Sequence, residues 1–134
     1  MDLLTQAQMT LASQPFSKLV GANLTAFANG QSEITIPIAD RLKQQHGFVH
    51  GGVLSYAADN AITFAGGSVL GPAVVTSELK INYLRPCTGW SLIARAHVVH
   101  VGKSQAVAQC DVFSVSDKGE ALCAVAQGTI AKLR

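Results

Sequence analysis

Asp59 is the one Asp, Glu, Lys or Arg in the 34-residue stretch from Gln44 to Ser77, QQHGFVHGGVLSYAADNAITFAGGSVLGPAVVTS. It falls inside an apolar helix pattern, flanked by Tyr56, Ala57, Ala58, Ala61, Ile62 and Phe64. A carboxylate there is expected to be largely buried, and burying one without a partner costs several kcal/mol. Chains seldom retain that cost without using it, so Asp59 is the first candidate for chemistry. Gly51 and Gly52 sit where the same helix begins. Backbone N–H groups of a first turn lack intrahelical partners, and glycine lets a ligand approach them closely. Such N–H groups can hold a carbonyl oxygen as it gains charge, forming an oxyanion hole. The alternative is a tight turn packed against a strand.

Spacing restricts how these groups can cooperate. Gly51 and Asp59 are eight residues apart, about 12 Å along a helix at 1.5 Å per residue. A donor and a nucleophile or base acting on one carbonyl must each lie within about 3–3.5 Å of it. One helix cannot place both there. Two antiparallel copies across a two-fold axis can, with Gly51 of one chain facing Asp59 of the other. Other polar residues carry less by themselves. His46 and His50 are four apart, but Gly47 between them favours a loop and no third metal ligand is evident. His97 and His100, three apart in a strand pattern, fall on opposite faces. Gln44 alone reads as a solvated loop residue and Lys103 alone as a hairpin lysine.

The elements that must position these residues follow from periodicity. A short amphipathic helix is expected over 3–13, then strands over 17–28 and 31–38 joined at Asn29-Gly30, a strong hairpin signal. A polar loop over 39–46 leads to a helix over 51–66, closed by Gly66-Gly67. Strands follow over 73–85, 90–101, 104–116 and 120–132, divided by Pro86/Gly89, Gly102-Lys103 and Asp117-Lys118-Gly119. An apolar helix followed by an antiparallel meander implies an α+β fold with the sheet curled around that helix. The helix is too apolar for an ordinary surface helix, so a second subunit is expected against one side of it.

Composition narrows the function classes. The 134 residues are 49% hydrophobic and 13% charged, with a net charge of +2; ordinary domains carry about 25% charged residues. One domain is expected, with oligomerisation covering apolar surface. The scattered basic residues leave no nucleic-acid footprint, and no run of about 20 apolar residues offers a membrane span. The opening MDLLTQAQMT has no signal-peptide pattern. The three cysteines, Cys87, Cys110 and Cys123, show no CxxC spacing. They read as reduced, buried thiols of a cytoplasmic protein.

Gln44-x-x-Gly47-x-x-His50-Gly51-Gly52, then Asp59, then Thr76 and Tyr83-x-x-Pro86, resembles the PaaI-type (hydroxybenzoyl-CoA-type) acyl-CoA thioesterases of the hotdog fold. The resemblance covers about residues 15 to 132, leaving 1–14 as an N-terminal helix. It implies that Asp59 is the catalytic carboxylate, as nucleophile or as general base for water, and that the Gly51 N–H polarises the thioester carbonyl. Gln44 then assists at that oxygen, and His50 orders the loop and borders the sulfur. Thr76 orients the attacking water, or Ser77 if the loop gap lies elsewhere. Gly52, Tyr83, Arg85, Gly102 and Lys103 fall on the substrate side, with Arg85 and Lys103 near the phosphates of coenzyme A. The implied enzyme needs neither metal nor cofactor and works as a homodimer or homotetramer. Rival readings are a hotdog hydratase or dehydratase, whose His-Phe-Pro and Asp-x-Asn-Pro-x-x-His signatures are absent, and a non-catalytic acyl-CoA-binding module.

Overall fold

Small side chains on both sides of one contact set the architecture. Ala57, Ala58, Ala61 and Ala65 form the buried stripe of a 20-residue helix, and Ala94, Ala96, Ala106, Ala108, Ala124 and Ala126 face it from a sheet. The computed structural model describes residues Met1–Arg134. Its elements are α1 (Leu3–Ala12), α2 (Pro15–Val20), β1 (Asn23–Ala28), β2 (Gln31–Pro37), α3 (Gly51–Leu70), β3 (Val74–Tyr83), β4 (Ser91–Val101), β5 (Gln105–Ser116) and β6 (Gly119–Lys132). All six strands form one antiparallel sheet in the order β1-β2-β4-β5-β6-β3. The helix α3 packs against every strand. The α+β arrangement of a sheet around one long helix is the one expected.

Alternation specifies which face of each strand meets α3. Ser32, Ile34 and Ile36 of β2 and Leu92, Ala94 and Ala96 of β4 point inward at period two. Contact is closest at Gly66, where an added Cβ would lie 2.8 Å from Ile130 Cβ. One buried polar tie fixes the register, because the Ser32 hydroxyl donates to the Ala61 carbonyl at 2.5 Å.

Three expectations are corrected. Residues 17–20, expected to start a strand, belong instead to the short helix Pro15–Val20. Pro15 opens it and Gly21, at φ 86°, closes it, the usual placement of proline and glycine at helix ends. The long helix runs past Gly66-Gly67 to Leu70 and ends at Gly71, φ 105°. Of the two internal glycines, Gly66 serves close packing against Ile130, while Gly67 leaves Val74 at ordinary contact distance. Finally, only β4, β5 and β6 form a meander. The strand β3 crosses to the far edge and pairs with β6 alone, leaving its outer edge unpaired.

Candidate active site

The segment before α3 is braced on two sides. The Val49 N–H donates to the Cys87 carbonyl at 3.0 Å and the His50 N–H to the Leu42 carbonyl at 2.9 Å. Gly47, at φ 92°, makes the turn that other residues adopt with strain. Gln44 folds back on this loop: its side-chain oxygen accepts from the His46 N–H, and its amide NH2 has no partner in the chain.

His50 is the N-cap of α3. Its Nδ1 accepts the Gly52 N–H at 2.8 Å and its carbonyl accepts the Val53 N–H at 2.9 Å. The cap thus consumes the N–H of Gly52 and leaves that of Gly51 without an acceptor in its own chain. Tyr83 on β3 covers the same turn, its hydroxyl donating to the Gly51 carbonyl at 3.1 Å and lying 3.2 Å from Ser55 Oγ.

Two turns further along α3, Asp59 is half-buried rather than largely buried, and it has partners. Thr76 Oγ1 donates to Asp59 Oδ1 at 2.5 Å, with Thr63 Oγ1 3.5 Å from the same oxygen. Thr63 donates to the Asp59 carbonyl at 2.8 Å and lies 3.0 Å from Thr76 Oγ1. Oδ2 has no protein partner. Asp59 lines a cavity of about 200 Å³ together with Gln14, Tyr56, Asn60, Thr63 and Thr76. A bulge in β3 between Thr76 and Glu78 aims this side chain. Ser77, the bulged residue, turns away and donates to the Thr129 carbonyl at 3.2 Å.

One part of the cavity wall was not legible in the sequence. Ser17 Oγ donates to Gln14 Oε1 at 2.6 Å and lies 2.5 Å from Tyr56 Oη. Asn60 Nδ2 donates to Gln14 Oε1 at 3.1 Å and to Tyr56 Oη at 3.0 Å. Asn60 therefore braces the α1–α2 junction and does not pair with Asp59. Thr63 carried a usable signal: four residues after Asp59, it shares that helix face.

The residues expected on the phosphate side are dispersed. Arg85 follows β3 beyond Tyr83, while Gly102 and Lys103 form the β4–β5 turn. That turn lies beside the Val74 end of β3, because Lys132 pairs with Val74 and its N–H bonds to the Ser104 carbonyl. Within one chain the two cations are separated by the length of β3, about 30 Å at 3.3 Å per residue. Both are exposed.

Comparison with known proteins agrees with this architecture. A family model described as the thioesterase superfamily matches residues 46–121, a span that includes Gly51, Asp59 and Thr76. The acyl-coenzyme A thioesterase PaaI of Escherichia coli is 32% identical over 107 residues, 79% of this chain and 76% of that protein. A 1,4-dihydroxy-2-naphthoyl-CoA hydrolase of Listeria monocytogenes is 25% identical over 114 residues, 84% of this chain and 90% of the hydrolase. The crystal structure of a thioesterase family protein from Silicibacter pomeroyi superposes with a TM-score of 0.91 at 31% identity, covering 96% of each chain. The chain accordingly belongs to the thioesterase superfamily, as a thioester hydrolase of the PaaI type.

Proposed function

We propose that the chain hydrolyses acyl-CoA thioesters with Asp59 as general base, at sites shared between two copies. The observation that carries this reading is the division of labour at Asp59: Oδ1 is held by Thr76 at 2.5 Å, while Oδ2 has no protein partner and the residue lines a cavity of about 200 Å³. That volume admits several waters at about 30 Å³ each. Oδ2 takes a proton from one of them as its oxygen adds to the thioester carbon. The tetrahedral oxyanion is held by the Gly51 N–H of the other copy, with the free Gln44 amide beside it. Collapse breaks the C–S bond and expels the thiolate of coenzyme A, leaving the carboxylic acid. A thiolate leaves with little acid assistance, so a lone carboxylate suffices without a Ser-His-Asp set.

The second copy is required because Gly51 and Asp59 stand about 12 Å apart on one rigid helix. The unpaired edge of β3 supplies the join. A two-fold axis through the middle of β3 sets the Tyr83 end of one strand beside the Val74 end of the other. Gly51, which Tyr83 covers, then approaches Thr76 and Asp59 of the second copy. The same operation brings Arg85 of one chain toward Lys103 of the other, a pair suited to the phosphates of one coenzyme A. A pair of such dimers gives the tetramer that the family resemblance implies.

Release of free thiol from acyl-CoA tests the reaction. Wild type should liberate coenzyme A, and Asp59→Asn should lower turnover at least about a hundredfold, the lower end of what a positioned base contributes. Retained turnover in that variant removes Asp59 from the chemistry. An enoyl-CoA product instead of free thiol identifies a hydratase or dehydratase. Label appearing in Asp59 after a single turnover in ¹⁸O water identifies the nucleophile route, since general-base catalysis puts the label only in the product acid.

A further inference from the structure

A second, larger cavity of about 480 Å³ opens beneath α1. Leu3 and Ala7 of α1 roof it, Phe27 closes one side, and Phe64, Gly67 and Val74 form its floor along the second half of α3 and the start of β3. Gln14 and Thr63 line both this cavity and the one that holds Asp59. The two are therefore neighbours through a shared wall, and the threonine in that wall donates to the Asp59 carbonyl.

We infer that this cavity receives the acyl group, and that the substrates are thioesters of uncharged, apolar acids much larger than acetate. The inference rests on the proposed hydrolysis, whose reacting carbon it places at Asp59. From Thr63 to Gly71 the cavity follows α3 for eight residues, about 12 Å. At about 30 Å³ per water-sized unit, its volume admits on the order of a dozen methylene-sized groups. None of its 15 lining residues is Asp, Glu, Lys, Arg or His, so a carboxylate on the acyl group would enter without a cationic partner and meet only neutral amides such as Gln14 and Asn29. The hydroxyls in the wall are already engaged. Ser68 donates to the Ala65 carbonyl at 2.6 Å and accepts the Gly30 N–H at 2.7 Å, and Thr10 donates to the Gln6 carbonyl at 3.2 Å. Phe27 and Phe64 meet edge to face at 6.2 Å, an arrangement that also accepts a third ring. The acyl pocket thus lies on the chain that supplies Asp59, roofed by α1.

Gly67 offers the sharpest test. A Cβ there meets only Val74 Cγ2, at the ordinary contact distance of 3.5 Å, so Gly67→Leu fills the cavity without displacing backbone. Thr10→Trp, from an exposed position on α1, narrows it from the opposite wall. The ratio of kcat/KM for octanoyl-CoA to that for butyryl-CoA is expected to fall at least tenfold in both variants. Benzoyl-CoA serves as the aromatic arm, and wild type should disfavour the ω-carboxylated C8 thioester at least tenfold against octanoyl-CoA. Binding of the same thioesters to Asp59→Asn, by calorimetry with and without Gly67→Leu, keeps the two readings apart. Chain-length-dependent binding that Gly67→Leu abolishes, without turnover in wild type, upholds the pocket and overturns the hydrolysis. Turnover whose length preference ignores both substitutions overturns the pocket and leaves the hydrolysis intact.

Discussion

Thr76 decides which oxygen of Asp59 is available, because its hydroxyl donates to Oδ1 at 2.5 Å and leaves Oδ2 without a protein partner. A hydrogen bond to a charged group contributes about 1.5–3 kcal/mol, which is about 10–100-fold in rate if it is needed to hold the base in place. Thr76→Val is therefore expected to lower kcat by that factor with little change in KM, measured by thiol release. Wild-type kcat in a variant whose melting temperature has fallen would make Thr76 a structural residue only. The thiols make a contrasting case. Burial pushes Cys87 up to about 11 and Cys110 up to about 12, so neither is a thiolate near neutrality. Native protein at pH 8 should leave an aromatic disulfide reagent unreacted, and unfolded protein should react at all three cysteines. Asp59 was legible as an isolated charge in an apolar run, and Gly51 as an N-terminal glycine. Their surroundings were not: Gln14, Ser17 and Asn60 meet through contacts spanning more than forty residues, which no local spacing encodes. The choice between Thr76 and Ser77 depended on a bulge, and a one-residue shift reverses the face on which a strand residue lies.

At the scale of elements, glycine carried two meanings that composition alone does not separate. Asn29-Gly30 was legible as a hairpin because the turn demands a positive φ, here 78°. Gly66-Gly67 has the composition of a helix end, yet it lies inside α3, where the sheet approaches most closely. Gly66→Ala places a Cβ 2.8 Å from Ile130 Cβ. Overpacking of this kind typically costs about 1–3 kcal/mol, and the midpoint of urea unfolding should fall accordingly. An unchanged or raised midpoint would show that α3 and β6 can separate slightly without loss. Residues 17–20 of the six-residue α2 were read as the start of a strand; Pro15 and Gly21 at its ends were the better signal. The edge position of β3 depends on long-range pairing and had no local signature. On the outer face, Arg95 of β4 bonds Glu33 of β2 at 2.7 Å and Glu120 of β6 at 2.7 Å, passing over Phe113 at 5.3 Å. Burial alone would raise the Glu33 carboxyl, but the bonds from Arg95 and Thr25 outweigh it and hold it below its ordinary value. A depressed carboxylate contributes stability above its unfolded pKa and loses it as pH falls through the folded one. Acid titration of unfolding should therefore show a loss below about pH 4.5 that is smaller in Glu33→Gln.

The whole molecule raises the question of whether one chain is sufficient. The Gly51 N–H and the free oxygen of Asp59 are both unpartnered in their own chain, yet the helix separates them by about 12 Å, so in the proposed reaction each is half of a site. Two variants can each disable one half. Asp59→Asn removes the base. Gly51→Pro removes the donor N–H, and the local backbone tolerates it: Gly51 is the first residue of α3, where proline is favoured. The preceding His50, at φ −59° and ψ 135°, already has the extended conformation that a following proline requires. Each variant alone should be nearly inactive. After subunit exchange, a mixed dimer carries both defects in one site and neither in the other. Random pairing makes half of the dimers mixed, so an equimolar mixture should recover about a quarter of wild-type activity. Exchange is monitored by mass-tagged chains, so that a failure to mix is recognised and corrected by brief denaturation and refolding. Verified mixed dimers without recovered activity would place the donor and the base in one chain. The free N–H of Gly51 would then be only a feature of the helix cap.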